Sequence, residues 1–119
     1  MSRQPIPQVT TDDVERVVRR DFSADEHDTV MAMLCEYGAE KWHPAPARVH
    51  LAALKLADGS VQKLRACIEL AKSDYRDVLA AAEYPAYHKI GFRVGKLPAE
   101  EQGRIISSDW RQYEEWLKK

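Results

Sequence analysis

The sequence predicts an all-α fold, a compact single-domain bundle of five to six helices. Apolar residues recur at helical spacing in successive segments, and residues that favour helix starts precede most of these segments. The one stretch that resembles a strand, residues 90–94, has no partner strand and would be unstable by itself. The chain has 119 residues, 45% of them hydrophobic, so it can bury a core without metal or disulfide support. Residues 1–9 contain Pro5 and Pro7 and are predicted to form an extended arm before a single helical domain over residues 10–119.

The first helix is expected to begin after Thr10 or Thr11. Either hydroxyl can cap the helix, and the negative charges of Asp12 and Asp13 suit the positive end of the helix dipole in the first turn. Three valines then share one helix face, which we assign to the core: Val14, Val17 and Val18.

The second helix start is indicated by Ser23 and Glu26, which have the spacing of a capping box. This helix is expected to run to Tyr37 and to end at Gly38. One of its faces is apolar and is assigned to the core: Val30, Leu34 and Tyr37, flanked by Met31 and Met33.

The third helix, at about residues 47–57, is predicted to be the buried centre of the bundle. On a helical wheel Arg48 and Lys55 lie within about 20° of each other, and every other direction is apolar apart from His50. A helix that is apolar nearly all round is surrounded by other helices. Residues 58–60 then supply its end and the cap of the next helix.

The fourth helix is expected to begin at Val61. A further helical segment through Glu83 either continues it or starts as a new helix at Ser73 or Asp74, and the sequence leaves both possibilities open. Pro85 is expected to stop this segment.

Residues 84–98 are predicted to be a loop, and Pro98 to open the last helix, which packs across the others. The buried face of this C-terminal helix is rich in aromatic residues: Ile106, Trp110, Tyr113 and Leu117. Ile105 and Trp116 lie about 80 to 100° from that face. If they are exposed, they form a contact surface for another subunit or protein.

Composition and charge exclude several classes of protein. The net charge of −1 argues against a general nucleic-acid binder, although residues 1–40 carry nine acids and four arginines and residues 41–96 carry ten bases and five acids. No apolar run reaches the roughly 18 residues of a membrane helix, so a membrane is not an expected partner. The start of the chain has no signal-peptide core, so we expect a cytoplasmic protein. Cys35 and Cys67 are expected to be buried, reduced thiols.

A candidate binding site combines two connectors that are rich in aromatic residues and histidine. The connector at residues 38–47 contains Trp42 and His43. The predicted loop at residues 84–96 contributes five more candidates: Tyr84, Tyr87, His88, Lys89 and Arg93. Aromatic rings stack on bases or sugars while Arg and Lys neutralise phosphate, so this pattern indicates an anionic small molecule or a nucleic acid. In the alternative interpretation the loop's three aromatic residues anchor it to the core and its bases are solvated: Tyr84, Tyr87 and Phe92.

We predict no catalytic residue, no metal site and no cofactor, because the histidine spacings match no metal motif and the common phosphate-binding and nucleophile motifs are absent. An enzyme would have to pair His50 or His88 with a carboxylate such as Asp74 or Asp77. The leading expectation is a non-enzymatic interaction or regulatory module, whose partner is a second copy of the chain, as in a homodimer, or another protein. The alternatives are a binder of an anionic small molecule or nucleic acid and, after that, an enzyme.

Overall fold

Helix α3, Pro46–Ala57, lies at the centre of the fold, as the sequence predicts. The computed structural model describes residues 4–40, 43 and 45–119, which form six α-helices, two 3₁₀ turns and no strand, so the all-α prediction is confirmed. Arg48 and Lys55 are only partly exposed, and burial lowers the pKa of Lys55. The other side chains along α3 are mostly buried: Val49, Leu51, Ala52, Ala53, Leu54 and Ala57.

Helix α1, Thr11–Asp21, begins directly after Thr10, which forms a capping box with Asp13. The backbone N–H of Thr10 donates to the Asp13 carboxylate at 2.9 Å, and this closes a capping box. The predicted core face of α1 is buried: Val14, Val17 and Val18.

Helix α2, His27–Glu36, follows a single 3₁₀ turn, Ala24–Glu26. The Ser23 N–H donates to the Glu26 carboxylate at 3.3 Å, so the predicted capping box is present. The helix ends one residue earlier than predicted, and Gly38 has a φ of 104°, a conformation that glycine adopts without strain. The predicted apolar face is buried: Val30, Leu34 and Tyr37.

Helix α4, Val61–Glu83, is assigned as one helix but is kinked at Asp74, where φ is −151° and ψ is 80°. A short turn joins α3 to α4, and the Ser60 side chain accepts a hydrogen bond from the Lys63 N–H at 3.2 Å. At the kink the Asp74 carboxylate accepts a hydrogen bond from the Asp77 N–H at 3.4 Å. The side chain therefore caps the second half of α4, since a capping carboxylate replaces the backbone acceptor that the kink removes.

The segment predicted to be a loop, residues 84–98, is largely helical, so that prediction is wrong. Helix α5, Pro85–Ile90, is followed by a 3₁₀ turn, Gly91–Lys96. Pro85 occupies the first helical position, where its missing N–H costs nothing. The next two backbone N–H groups donate to the carboxylate of Asp109, which belongs to the last helix. Because Asp109 lies 23 residues after Ala86, no local sequence pattern predicts this cap.

Helix α6, Ala99–Lys118, is attached to α1 at its C-terminal end. Arg16 Nη2 donates to the Leu117 carbonyl at 2.7 Å, and Arg20 Nη1 donates to the Trp116 carbonyl at 2.7 Å. The Arg20 guanidinium also lies 5.1 Å from the centre of the Trp116 ring. Two cations therefore satisfy carbonyls at the negative end of the helix dipole.

The two cysteines differ in exposure. Cys35 is exposed, so the prediction that it is buried is wrong: it lies about 100° or more round α2 from the buried Val30, Met33 and Leu34. Cys67 is partly buried, and this burial raises the pKa of its thiol.

Candidate functional site

Tyr84 joins the helices to the N-terminal arm. Its side chain is buried, and its hydroxyl donates a hydrogen bond to the Pro5 carbonyl at 2.6 Å. Burial and the nearby Glu83 raise the pKa of Tyr84 to about 12, so it keeps its proton at neutral pH. Tyr84 is therefore an anchor, as the alternative interpretation of this segment predicts.

Asp109 holds the start of α5 against α6. The carboxylate is buried, and its two oxygens accept hydrogen bonds from the backbone N–H groups of Ala86 at 3.2 Å and Tyr87 at 3.0 Å. A negative charge at a helix N-terminus is favoured by the helix dipole. Asp109 therefore ties the first turn of α5 to α6.

Residues 89–96, which we call the Phe92 tip, form the exposed end of this segment. Gly91 has a φ of 69° and a ψ of −144°, a region that is essentially restricted to glycine, and there the chain turns from α5 into the 3₁₀ turn. The Phe92 side chain is 98% exposed, whereas Val94 is buried and fixes the turn to the rest of the fold. The charged residues of the tip are all basic and exposed: Lys89, Arg93 and Lys96.

The binding-site and the anchored-loop interpretations of residues 84–96 each fit some of these residues. Tyr84 is an anchor, but an anchoring role for Phe92 is wrong, because a side chain with 98% exposure packs on none of the residues that the structure describes. Lys89 and Arg93 are exposed, as both interpretations expect. The sequence did contain a signal for the tip, since Phe92 lies between Gly91 and Gly95 in a stretch without a single acid.

His88 lies beside a carboxylate at the surface. Its Nε2 is 3.5 Å from Oδ1 of Asp77, and both side chains are nearly half exposed. That distance is longer than a direct hydrogen bond of about 2.6–3.2 Å, and Asp77 is not part of the lining of the adjacent cavity of about 230 Å³. His50 and Asp74 are engaged separately, with a backbone carbonyl and with the cap inside α4. The geometry therefore offers little support for histidine and carboxylate catalysis.

Comparison with models of known families, with curated proteins and with solved structures finds no match to this chain. Function must therefore be inferred from the side chains themselves. Within residues 4–40, 43 and 45–119, no three His, Cys, Asp or Glu side chains come together as metal ligands. Nor is any of the described helices apolar over the length that crossing a membrane requires.

Tyr37, at the end of α2, is the centre of an aromatic cluster with two histidines. The His43 ring is buried and stacks on Tyr37 with 4.4 Å between ring centres, and its Nδ1 accepts a hydrogen bond from the Gly38 N–H at 2.8 Å. The His50 ring meets Tyr37 edge-on at 6.2 Å, and its Nε2 lies 2.8 Å from the Tyr37 carbonyl, to which it donates. The two histidines therefore help to fix the end of α2 against α3.

Convergence of the two connectors on one pocket stays a prediction. Trp42 lies outside the described residues, and the contacts given above for His43 are with the end of α2. Residues 84–88 instead contact the arm through Tyr84, α4 through His88, and α6 through the backbone N–H groups that donate to Asp109.

We expect His50 to make the folded protein less stable as the pH falls below about 6.5, the pKa of an unperturbed histidine. Burial lowers the pKa of His50 despite its hydrogen bonds to backbone carbonyls, so the unfolded chain takes up a proton before the folded chain does. Between about pH 6.5 and the lower folded-state pKa, stability falls by at most about 1.4 kcal/mol per pH unit. Urea unfolding of wild type and His50→Gln at pH 7.5 and pH 5 measures this dependence of stability on pH. The stability advantage of wild type over the variant should be smaller at pH 5, and an unchanged or larger advantage contradicts the assignment.

Trp116 and Ile105 are both partly buried. The Trp116 ring lies 5.6 Å from the Tyr113 ring and also contacts Arg20, so part of it is used in the contact between α6 and α1. A contact surface built on Ile105 and Trp116 stays a prediction, and the Phe92 tip offers a more exposed apolar side chain.

Proposed function

We propose that the protein is a non-catalytic interaction module that binds an acidic partner protein through the Phe92 tip. The observation that carries this proposal is the 98% exposure of Phe92 on a turn whose charged residues are all basic. Burying a phenylalanine side chain is worth about 1.5–3 kcal/mol, which is a large contribution for one residue in an interface.

The tip is held in place before any partner arrives, which supports the proposal. Val94, two residues after Phe92, is buried, and Asp109 caps the helix that leads into the turn. Binding therefore costs little additional backbone ordering, so more of the energy gained by burying Phe92 contributes to affinity.

The charges around the tip favour an acidic surface on the partner. Residues 84–98 contain no Asp or Glu, while Lys89, Arg93 and Lys96 are exposed on the tip. Complementary charge raises the association rate and is weakened by salt. A protein suits the rest of the molecule better than a nucleic acid or an anionic membrane, because the nine acids in residues 1–40 repel an extended polyanion.

Selection of a random peptide library against the immobilised protein tests this proposal. We expect enrichment of peptides that combine Asp or Glu with an apolar residue. Phe92→Ala should weaken their binding at least about tenfold, the effect typical of a residue that dominates an interface. Arg93→Glu should mainly slow association, and higher salt should reduce the difference.

The matched control is Leu70→Ala, which removes an apolar side chain that is also exposed, at 41%, but lies on α4. Peptides that bind Phe92→Ala as well as wild type, or that lack acidic residues, contradict the proposal. Preferential binding of single-stranded oligonucleotides or of anionic vesicles also contradicts it, since either would make the partner a different class of molecule. Sedimentation of the protein by itself identifies a second copy as the partner if association depends on concentration and disappears in Phe92→Ala.

A further inference from the structure

A cavity of about 390 Å³ lies between the N-terminal arm and the helices α3 and α4. This volume is within the range of about 300–1,000 Å³ that is usual for small-molecule sites, and clefts between the helices of a bundle are a common place for them. Its lining combines apolar and charged side chains, among them Arg48, Tyr75, Arg76, Leu79, Glu83 and Tyr84.

A buried ion pair fixes the position of Arg48 in this lining. Nε and Nη2 of Arg48 donate to the two carboxylate oxygens of Glu83, at 2.8 and 2.7 Å, and Glu83 is only 2% exposed. The described residues offer no partner for Nη1 of Arg48, so this nitrogen has N–H groups to spare. A guanidinium whose Nε and Nη2 are bonded to one carboxylate can still donate from Nη1 to a second anion.

Arg76 supplies a second positive charge to the same cavity. Its guanidinium lies 5.8 Å from the centre of the Tyr75 ring; the contact with Tyr75 and the charge of Asp74 raise the pKa of Arg76, but no carboxylate of the described residues lies within ion-pair distance of it. Both oxygens of Glu83 are already bonded to Arg48. The cavity therefore has an excess of positive charge, and it has donors for an anion but no unpaired carboxylate for a cation.

The N-terminal arm forms one wall of the cavity. Pro5 and Ile6 form part of the lining, and Ile6 is 57% exposed on its other side. Among the described residues, the hydrogen bond from the Tyr84 hydroxyl to the Pro5 carbonyl is the one that joins residues 4–9 to the helices. Pro7 is buried, so the arm is held at two points. Releasing the first of them frees the end of the arm at the edge of the cavity.

We propose that this cavity is a binding site for a small molecule with an aromatic or aliphatic body and a single carboxylate or phosphate group. Arg48 and Arg76 bind the anionic group, and the apolar body lies against Tyr75 and Leu79. The arm closes over the bound molecule. This site is separate from the Phe92 tip and does not depend on the function proposed for it.

Nuclear magnetic resonance titration of the full chain with four probes tests the site: benzoate, phenyl phosphate, benzylamine and benzyl alcohol. We expect benzoate or phenyl phosphate to shift the amide signals around residues 75–84, and comparison of the two identifies the preferred anionic group. Benzylamine and benzyl alcohol should bind at least about tenfold more weakly, since charge-assisted hydrogen bonds are about twice as strong as neutral ones. Equal binding of all four probes contradicts a site for anions, and so does the absence of any shift in residues 75–84.

Two single variants distinguish the role of Arg76 in binding the anion from the role of Tyr84 in holding the arm. Arg76 is exposed, so Arg76→Gln should fold normally and weaken binding of the preferred probe about tenfold. Tyr84→Phe keeps the buried ring and removes the hydrogen bond to the arm, so it should accelerate association severalfold. Arg104→Gln is the matched control, because it makes the same change at an exposed arginine on α6, and it should bind the probe as wild type does. Unchanged affinity in Arg76→Gln contradicts the anion site, and unchanged association in Tyr84→Phe contradicts the role of the arm.

Discussion

Replacing Glu83 with alanine is expected to lower the free energy of unfolding by about 3 kcal/mol. Glu83 is 2% exposed, and both of its oxygens accept hydrogen bonds from Arg48. Without the carboxylate, the Arg48 guanidinium, whose side chain is only 24% exposed, loses its partner. That unpaired charge, rather than the loss of attraction between the two groups, is the main cost.

The double variant Arg48→Met with Glu83→Leu separates these two contributions. Removing both charges and keeping apolar volume leaves no unpaired group, so we expect the double variant to be clearly more stable than Glu83→Ala. The control is Glu15→Ala, which breaks the exposed pair with Arg19 at 3.4 Å and should change stability by less than about 1 kcal/mol. Urea unfolding measures all three. A Glu83→Ala variant no less stable than Glu15→Ala contradicts the role assigned to the pair.

The second large effect is expected from Leu54→Ala in α3, which should cost about 3 kcal/mol. Leu54 is fully buried in the helix that the sequence places at the centre of the bundle. Truncation there removes buried apolar surface and leaves a cavity that the surrounding helices cannot fill completely.

Leu70→Ala is the matched control, because it makes the same chemical change on α4 at a side chain that is 41% exposed. We expect it to cost less than about 1 kcal/mol, since surface substitutions leave no cavity. Equal losses of stability in the two variants, measured by urea unfolding, are incompatible with a buried α3.

The starts of α1, of the 3₁₀ turn that leads into α2, and of α4 are predictable because their caps are local. Thr10 and Asp13 close one capping box, Ser23 and Glu26 close another, and Ser60 caps α4 from one residue before it. In each case the groups that satisfy the free N–H groups lie within three positions along the chain.

Helix α5 was missed because its cap is not local. The carboxylate that holds its first turn comes from Asp109, 23 residues beyond Ala86. The kink in α4 is an intermediate case, since Asp74 was recognised as a possible cap, but whether it would break the helix depended on the packing of the two halves.

For the candidate site, the sequence indicated the right segment and assigned some residues the wrong roles. The aromatic and basic composition of residues 84–96 indicates a binding segment, and the Phe92 tip lies within it. Composition does not say which aromatic side chain turns inward, and the structure buries Tyr84 and exposes Phe92. The cavity beside Arg48 and Arg76 had no sequence signal, because its walls come from three separate parts of the chain.

The order of the residues by itself determined that this chain is helical, where most of its helices begin, and which helix lies innermost. These properties follow from interactions within a few positions and from the periodicity of apolar side chains. Tertiary structure decided the rest: the helix capped by Asp109, the buried pair of Arg48 with Glu83, and the outward position of Phe92. Each of these depends on segments far apart in the chain meeting in space, and the energy of burying or exposing a polar or aromatic group is defined only once its neighbours are in place.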